Sequence, residues 1–379
     1  MNALTFSGHT AAGLIQDLDA EMAGGFRPTL AFVFQSSVLD HSALQQPLHE
    51  RGISVVGMTT SGEIEGANVA QDSFSVMALE LAPGTFEARL YSDDDNDTLE
   101  QKSHRLGQFA AERFGSPVVF AFASGIGVDG EEIVRGVAAG AERPITLYGG
   151  LAADDLKMQA TYVFTGEGIS GNGLVGLVLD GSRYEATALT TSGWQSVGVE
   201  KVVTHVEGNV VHTIDGVPAL EVYQQYFDVG SQSGTSVAMD IGVQYPLLVR
   251  RDNGDAVIRA PLMAVQDTPS LVFSGAVPQG ARVRFCIPPS LEIVEQVVDE
   301  ASEMQREVPD ADALVLISCA ARLTALGPMI EDEVQGISDL WSAPLAGFFA
   351  YGEIGPTASG GCDFHNETCT LVALREITA

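Results

Sequence analysis

Only three of the 379 residues are lysines, Lys102, Lys157 and Lys201, and 19 basic residues stand against 50 acidic ones, a formal charge of −31. A surface so poor in cations repels phosphate backbones and anionic headgroups, which sets aside nucleic acid and membrane surfaces as partners. Cysteine is scarce too. Positions 286, 319, 362 and 369 are too scattered for a disulfide framework, so reduced thiols and a cytoplasmic location are expected. No run approaches the ~18 uninterrupted apolar residues that would span a bilayer. The opening MNALTFSGHTAAGLIQDL lacks the basic segment and continuous apolar core of a signal peptide. Also missing are a G-x-S-x-G elbow, a Walker loop, an H-E-x-x-H pair and a G-x-G-x-x-G turn between strand and helix. Hydrolysis, phosphoryl transfer and nicotinamide chemistry lose support accordingly. No histidine-kinase, cyclase, receiver or helix-turn-helix output pattern is present.

What is there is a recurring α/β pattern in a chain long enough for two domains. TLAFVFQSS, a short helix from Asp40, RGISVVGMTTSGEIEG and SFSVMALEL give strand, helix, strand with a glycine-rich turn, and strand. PVVFAFASG, a helix from Asp129 to Ala141, ITLYGGLAADD, TYVFTGE and NGLVGLVLDG repeat it. ADALVLISCAARL, a polar helix, PLAGFFAYGEIGP and CDFHNETCTLVAL form a third unit. Gly57-(x4)-Gly62-Glu63-Ile64 and Gly347-(x4)-Gly352-Glu353-Ile354 share spacing and ending, so the two halves are expected to be built on related units with equivalent turns.

Between Thr190 and Val265 the texture turns to β. VVTHVEGNVVHTIDG predicts a hairpin at Gly208-Asn209 pairing Glu207 with Val210 and His205 with His212. VQYPLLVR and AVIRAPLMAV flank a second turn at Asp252-Asn253-Gly254, and a mainly antiparallel sheet follows, with the helix PALEVYQQYF docked near the domain join. Capping boxes are predicted at Asp97-Thr98-Leu99-Glu100 and Asp129-Gly130-Glu131-Glu132. Leu291, Val294, Val298, Ala301 and Met304 share one helical face. DDDND at 93–97 lacks the glycine and distal glutamate of a calcium loop and reads as a solvated lead-in.

Candidate site residues gather at strand ends, where ligands sit in open α/β sheets. The third unit offers Ser318, Cys319 and Arg322 after one strand, Tyr351, Gly352 and Glu353 after the next, and His365, Asn366 and Thr368 before the last. In the N-terminal half, Ser61 with Glu63, and Gly150 with Asp154, occupy corresponding places; Asp154 and Asp155 either bind a ligand amine or cap the loop before TYVF. Arg322 would fork onto a ligand carboxylate, or else form a structural salt bridge to Glu331 or Glu333. Glu353, with Asp154, would take an ammonium, which together describes an amino-acid-like ligand. Cys319 beside His365 is the sole nucleophile-and-base pairing on offer, and a buried small residue is the expected role. Cys362-(x2)-His365-(x3)-Cys369 holds zinc-type ligands, but Cys369 falls inside a strand whose alternation fixes its direction.

ISCAAR, GFFAYGEIGP and FHNETCTL resemble the C-terminal half of the FIST family (F-box and intracellular signal transduction proteins). GMTTSGEIEG and YGGLAADD with YVFTGEGISGNGLVGLVL resemble its N-terminal half, and IDGVPALEVYQQYF the join. The resemblance implies a lead-in over 1–27, a FIST N-terminal domain over 28–215 and a FIST C-terminal domain over 216–379. It also implies a sensor that passes its signal to a partner such as a histidine kinase or cyclase. Some members are regarded as haem-based nitric oxide sensors, which makes His205, His212 and His365 the candidates for an axial ligand of a non-covalent haem. A small-ligand sensor, a haem sensor and a Cys-dependent enzyme are therefore the three readings carried to the structure.

Overall fold

The computed structural model describes residues 1–92, 97–227, 242–251, 253–265, 267–287 and 291–377. Its first unit runs β1 (Asn2–Gly8), α1 (Ala11–Gly24), β2 (Leu30–Ser36), α2 (Ser42–Glu50), β3 (Ser54–Thr60), the short hairpin β4 (Glu63–Glu65) and β5 (Asn68–Ala70), and β6 (Phe74–Glu80). The second repeats it with β7 (Phe86–Tyr91), α3 (Leu99–Arg113), β8 (Pro117–Ala123), α4 (Glu131–Ala141), β9 (Thr146–Leu151), the hairpin β10 (Val163–Thr165) and β11 (Gly168–Ser170), and β12 (Leu174–Asp180). After β13 (Tyr184–Thr191) comes an inserted β region. It comprises β14 (Gln195–Glu207), β15 (Val210–Ile214), β16 (Val217–Pro218), α5 (Ala219–Phe227), β17 (Leu247–Arg250), β18 (Ala256–Arg259), β19 (Pro261–Ala264), β20 (Leu271–Phe273) and β21 (Arg282–Ile287). The third unit, begun by β13, resumes with α6 (Leu291–Glu307), β22 (Ala313–Cys319), α7 (Ala320–Leu326), α8 (Met329–Ser338), β23 (Leu345–Ala350), β24 (Glu353–Pro356), β25 (Cys362–His365) and β26 (Cys369–Glu376).

The three units build three six-stranded sheets of identical order, β1-β6-β2-β3-β10-β11, β7-β12-β8-β9-β24-β25 and β13-β26-β22-β23-β4-β5. In each, the two strands joined through a helix are parallel and the rest antiparallel. Each unit lends its hairpin to a neighbour: β4 pairs β23, β10 pairs β3 and β24 pairs β9. The loan is cyclic, so the three units interlock. Inner faces of all three sheets share one core, in which Phe34 lies 4.2 Å from Phe348 and 6.0 Å from Phe122, one ring from each sheet. Helices cover the outer faces, so the central strands are buried on both sides, which explains their unbroken apolar runs. The architecture is mixed α/β, as the sequence indicates.

The inserted region is an eight-stranded antiparallel sheet whose own core includes Val203, Val211, Tyr223, Phe273 and Phe285. Glu207 pairs Val210 as expected, but bulges between Val203 and Val206 shift the ladder so that His205 opposes Thr213 instead of His212. Of the two predicted capping boxes, the first forms one residue later, with Thr98 as cap and Gln101 as its partner. The second does not form: Gly130 is the cap position and Glu131 is drawn into ion pairs with Arg251 and Arg259. Residues 93–96 of the acidic lead-in and Asp252 of the second turn lie outside the described residues; Asp97 holds Arg105 at 2.7 Å. On α6 the buried face is Ile293, Val294, Val297, Ala301 and Met304.

Candidate functional site

Where β3, β9 and β22 end, a cleft of 590 Å³ opens between the first, second and third units. Ser61 lines it from the turn after β3, Asp155 and Leu156 from the loop after β9, and Gln71 from the segment after β5. The far wall is Ala320, Leu323 and Thr324 of α7, then Gly327 and Pro328 leading into α8 and Glu331 in its first turn. Residues 320, 323 and 324 share one face of a helix that starts directly after β22. A larger hollow of 730 Å³ lies at the other end of β22, lined by Met1, Asp310, Asp312 and Trp341 among others. The ends of parallel strands from which loops converge belong to the smaller cleft, and the candidate site is placed there.

The cleft is framed by residues the sequence singles out. Ser61 Oγ accepts the Asp155 amide at 2.8 Å, binding the first unit to the second. Asp154 is buried behind the wall, where it accepts the amides of Met158 at 3.0 Å, Gln159 at 2.7 Å and Ala160 at 3.0 Å, and the hydroxyl of Tyr351. Of its two predicted roles, the structure shows the cap. The loop it holds carries three non-glycine residues in the left-handed region, Asp155 (φ 56°), Leu156 (φ 58°) and Met158 (φ 52°), a conformation sustained only by surrounding contacts. Lys157 answers Asp155 at 3.0 Å and is 43% exposed.

Arg322 points elsewhere. Two residues from Ala320 on the same helix, it faces away from the cleft and is fully buried, bound to both oxygens of Glu333 and donating to the carbonyls of Ser192 at 2.6 Å and Glu367 at 3.2 Å. Its guanidinium lies 5.2 Å from the Trp194 ring centre. The salt-bridge alternative is the arrangement observed, and the expected fork onto a ligand carboxylate is taken by an internal one. The difference arises because the helix starts at Ala320, so helical steps and not strand alternation aim Arg322.

Glu353 and Glu63 occupy matching turns, after Gly352 (φ 146°) and Gly62 (φ 134°), where a Cβ would strike Phe364 at 2.2 Å or Phe349 at 3.1 Å. Both carboxyls are buried inside the protein. Glu63 accepts from Thr60 at 2.6 Å and Ser73 at 2.7 Å, and burial lifts its pKa to about 7. Glu353 accepts from the Thr368 hydroxyl at 2.6 Å, has an unpartnered Oε1, and is lifted to about 8 by burial. A carboxyl that is neutral near pH 7 is a poor match for an ammonium.

The remaining predicted residues surround this interior. Gly150 pairs backbone to backbone with Glu353. Asn366 Oδ1 accepts from the fully buried Arg259 at 3.2 Å, so the inserted sheet is anchored here. Ser318 Oγ is buried without a hydrogen-bond partner, as are both carboxylate oxygens of Glu367. Cys319 is buried, and its thiol is pushed well above the ordinary range by burial and by the neighbouring Glu353 and Glu367. Such a thiol is neutral at physiological pH and is not a nucleophile. Iodoacetamide at pH 7.5 is accordingly expected to leave Cys319 unmodified in the native protein and to alkylate it after denaturation, read by peptide mass spectrometry; native alkylation would restore the enzyme reading. Cys362, His365 and Cys369 do not assemble: the Cys362 thiol donates to the Leu147 carbonyl at 3.4 Å, while Cys369 packs beneath the third unit's helices.

Among the described residues, the surroundings of the three histidines do not fit haem. An axial imidazole must stand over an apolar slot wide enough for the macrocycle. His365 is buried with Nε2 against the Gly355 carbonyl at 3.3 Å and is pushed down to about 4 by burial. His205 and His212 are stacked on each other, ring centres 4.5 Å apart, beside Glu207, Ser270 and the Thr204–Thr213 hydroxyl pair.

The chain is a mixed α/β protein of three units with interlocked hairpins and a cleft of 590 Å³ at its strand ends. The FIST N domain model matches residues 29–217 and the FIST C domain model residues 219–356. The chain belongs to the FIST family, whose domains are signal-transduction sensor domains. It is 26% identical over 233 residues to uncharacterized protein MT0656 of Mycobacterium tuberculosis, covering 60% of either chain. Uncharacterized protein Mb0898c of Mycobacterium bovis is 25% identical over 230 residues, 59% of this chain and 58% of that one. Uncharacterized protein MJ1623 of Methanocaldococcus jannaschii is 27% identical over 226 residues, 55% and 42%. The chain thus spans less than two thirds of the length of these curated relatives. Among the described residues no helix is long and apolar enough to cross a membrane.

The sequence reading missed most of the cleft wall. Gln71, Leu323, Thr324, Pro328 and Glu331 carry no motif, and only the immediate start of a helix at Ala320 places the last four. It also missed Arg259, which the paired arginines Arg251 and Arg259 around a hairpin turn could have signalled.

Proposed function

We propose that this chain is a cytoplasmic sensory protein that binds a small metabolite bearing an ammonium group, amino acids included, in the cleft between Ser61, Asp155 and α7, and reports occupancy to a signalling partner such as a histidine kinase or cyclase. The supporting observation is the lining itself, which brings Asp155 and Glu331 together with Ser61, Gln71 and Thr324 and, among the described residues, includes no lysine or arginine. Such a wall suits an ammonium. Lys157 presently neutralises Asp155. An incoming ammonium would displace it, freeing Lys157 for the ligand's carboxylate, and the strained loop 155–158 would change conformation in the exchange. That loop meets the first unit at Ser61, so binding would alter how two units abut. In this sensory protein the two domains run over 28–215 and 216–379.

Calorimetry of the full chain against amino acids and polyamines tests it. A ligand is expected, with affinity lowered about tenfold or more by Asp155→Asn, in line with ~1.5–3 kcal/mol for a hydrogen bond to a charged group. Arg322→Lys, away from the cleft, should leave the affinity of folded protein unchanged. Equal affinity in Asp155→Asn and Glu331→Gln for a confirmed ligand would remove the cleft from consideration.

A further inference from the structure

We propose that His205, Glu207 and His212, on the β14–β15 hairpin of the inserted sheet, form a site for a divalent first-row transition metal of the zinc type. Among the described residues this is the one group of three such side chains whose ligating atoms all lie within 4.8 Å of one another. The hairpin explains the convergence. His205 and Glu207 are two apart on one strand and project from the same face, and the bulge at Val203–Val206 turns the His205 ring over that of His212, at 4.5 Å and 27° between planes.

His212 is already oriented as metal-binding imidazoles are. Its Nδ1 lies 2.9 Å from Ser270 Oγ on β15's neighbouring segment. With Nδ1 donating to that hydroxyl, the lone pair is left on Nε2, which is buried and has no hydrogen-bond partner, 3.9 Å from Glu207 Oε2. A fixed outer hydrogen bond of this kind sets the tautomer and ring direction of a metal-bound histidine. An unpartnered buried nitrogen aimed at a carboxylate leaves room for a cation between them.

The chemistry of the set selects the ion. Two imidazoles and one carboxylate are borderline donors that favour zinc, cobalt, nickel or copper over magnesium and calcium, which take oxygen-only shells. Tetrahedral zinc with bonds near ~2.0–2.1 Å requires its donors ~3.3 Å apart, so the side chains must close by about an ångström. His205 and Glu207 are exposed, and rotamer changes supply that movement without disturbing the core. Three protein ligands leave a fourth position for water or an outside donor. The formal charge of −31 raises the local concentration of cations everywhere on the surface, so selectivity for this site must come from the imidazoles.

The experiment uses the full chain, stripped with chelator, titrated with zinc sulfate by calorimetry and with cobalt chloride by visible absorption, in the presence of millimolar magnesium to occupy ordinary surface carboxylates. One equivalent of zinc is expected, with cobalt giving the d–d bands of a low-coordinate site. The affinity should fall at least tenfold in His212→Ala and in Glu207→Gln, and the equivalent should vanish in the His205→Ala/His212→Ala double variant. His205 and Glu207 are exposed and His212 is half-buried, so an unchanged far-ultraviolet circular dichroism spectrum is required to confirm that each variant folds. Zinc that binds equally in the double variant, as it would if held by Cys286, Cys319, Cys362 or Cys369, overturns the proposal, and so does zinc binding that magnesium abolishes.

Discussion

Arg322→Ala is expected to destabilise the fold by about 3–5 kcal/mol, the cost of removing one partner from a buried ion pair. Glu333, 1% exposed, would be left as an uncompensated charge, and the carbonyls of Ser192 and Glu367 would lose their donor. Ser192 stands at the entry to the inserted sheet and Glu367 just before β26, so the guanidinium ties the insertion to the third unit. Trp194 loses its cation as well. Replacing both partners by apolar groups of similar volume, Arg322→Met with Glu333→Leu, should recover most of the loss, because it is the stranded charge that costs. Urea unfolding of the three variants measures the difference. A cost below 1 kcal/mol for Arg322→Ala would show that Glu333 reaches water, and a folded Arg322→Ala protein with altered ligand affinity would return Arg322 to the binding site.

The three-unit repeat was legible because backbone geometry demands it. Gly57 and Gly347 sit in equivalent ladders, paired with Phe164 and Ile64, while Ile354 pairs Gly149, so each unit presents a glycine to the next unit's hairpin. The turn glycines Gly62 and Gly352 have φ near +140°, which no other residue adopts at ease, and the matched spacing followed. The second unit hides the match: its equivalent of Glu63 and Glu353 is Val163, reached through the loop that carries Asp154 and Asp155. Exchange of hairpins was not legible, since a three-residue strand carries an alternation but no address. The direction of Arg322 was lost for a related reason. A side chain after a strand is aimed by alternation only if the strand continues, and here α7 starts at Ala320 and re-aims it by helical steps of 100°. Burial of the glutamates was equally opaque, because Glu after Gly reads as an exposed turn until another unit's strand closes over it.

That closure has a consequence for pH. Glu63 and Glu353 hold their protons to about 7 and about 8 in the folded chain, whereas an exposed glutamate releases its proton near 4.5. Because the folded values are the higher ones, the native state binds more protons than the unfolded state between these limits, and stability falls as pH rises. The contribution is complete below pH 4.5 and is lost as pH climbs through 7 and 8. Each group adds a slope of ~1.4 kcal/mol per pH unit while it titrates only in the unfolded chain, so a loss of several kcal/mol is expected between pH 5 and 9. Carboxylates held low by partners, such as Glu131 between Arg251 and Arg259, act in the opposite sense on the acid side, and so does His365, whose folded value of about 4 adds stability as pH rises to 6.5 and offsets part of the fall there. Growing net charge also disfavours the folded state, but the surface carboxylates are already ionised at pH 6 and contribute little further change above it. Glu63→Gln and Glu353→Gln separate the effects, since the amide keeps the hydrogen bonds from Ser73 or Thr368 and cannot ionise. Urea midpoints from pH 5 to 9 should decline in the parent protein and decline less steeply in the double variant, where Glu367, also raised well above the usual carboxyl range by burial, keeps part of the slope. A parent curve that is level over this range, or a double variant that declines as steeply, would mean that both carboxyls ionise in place without penalty and that the closure by the neighbouring unit admits water.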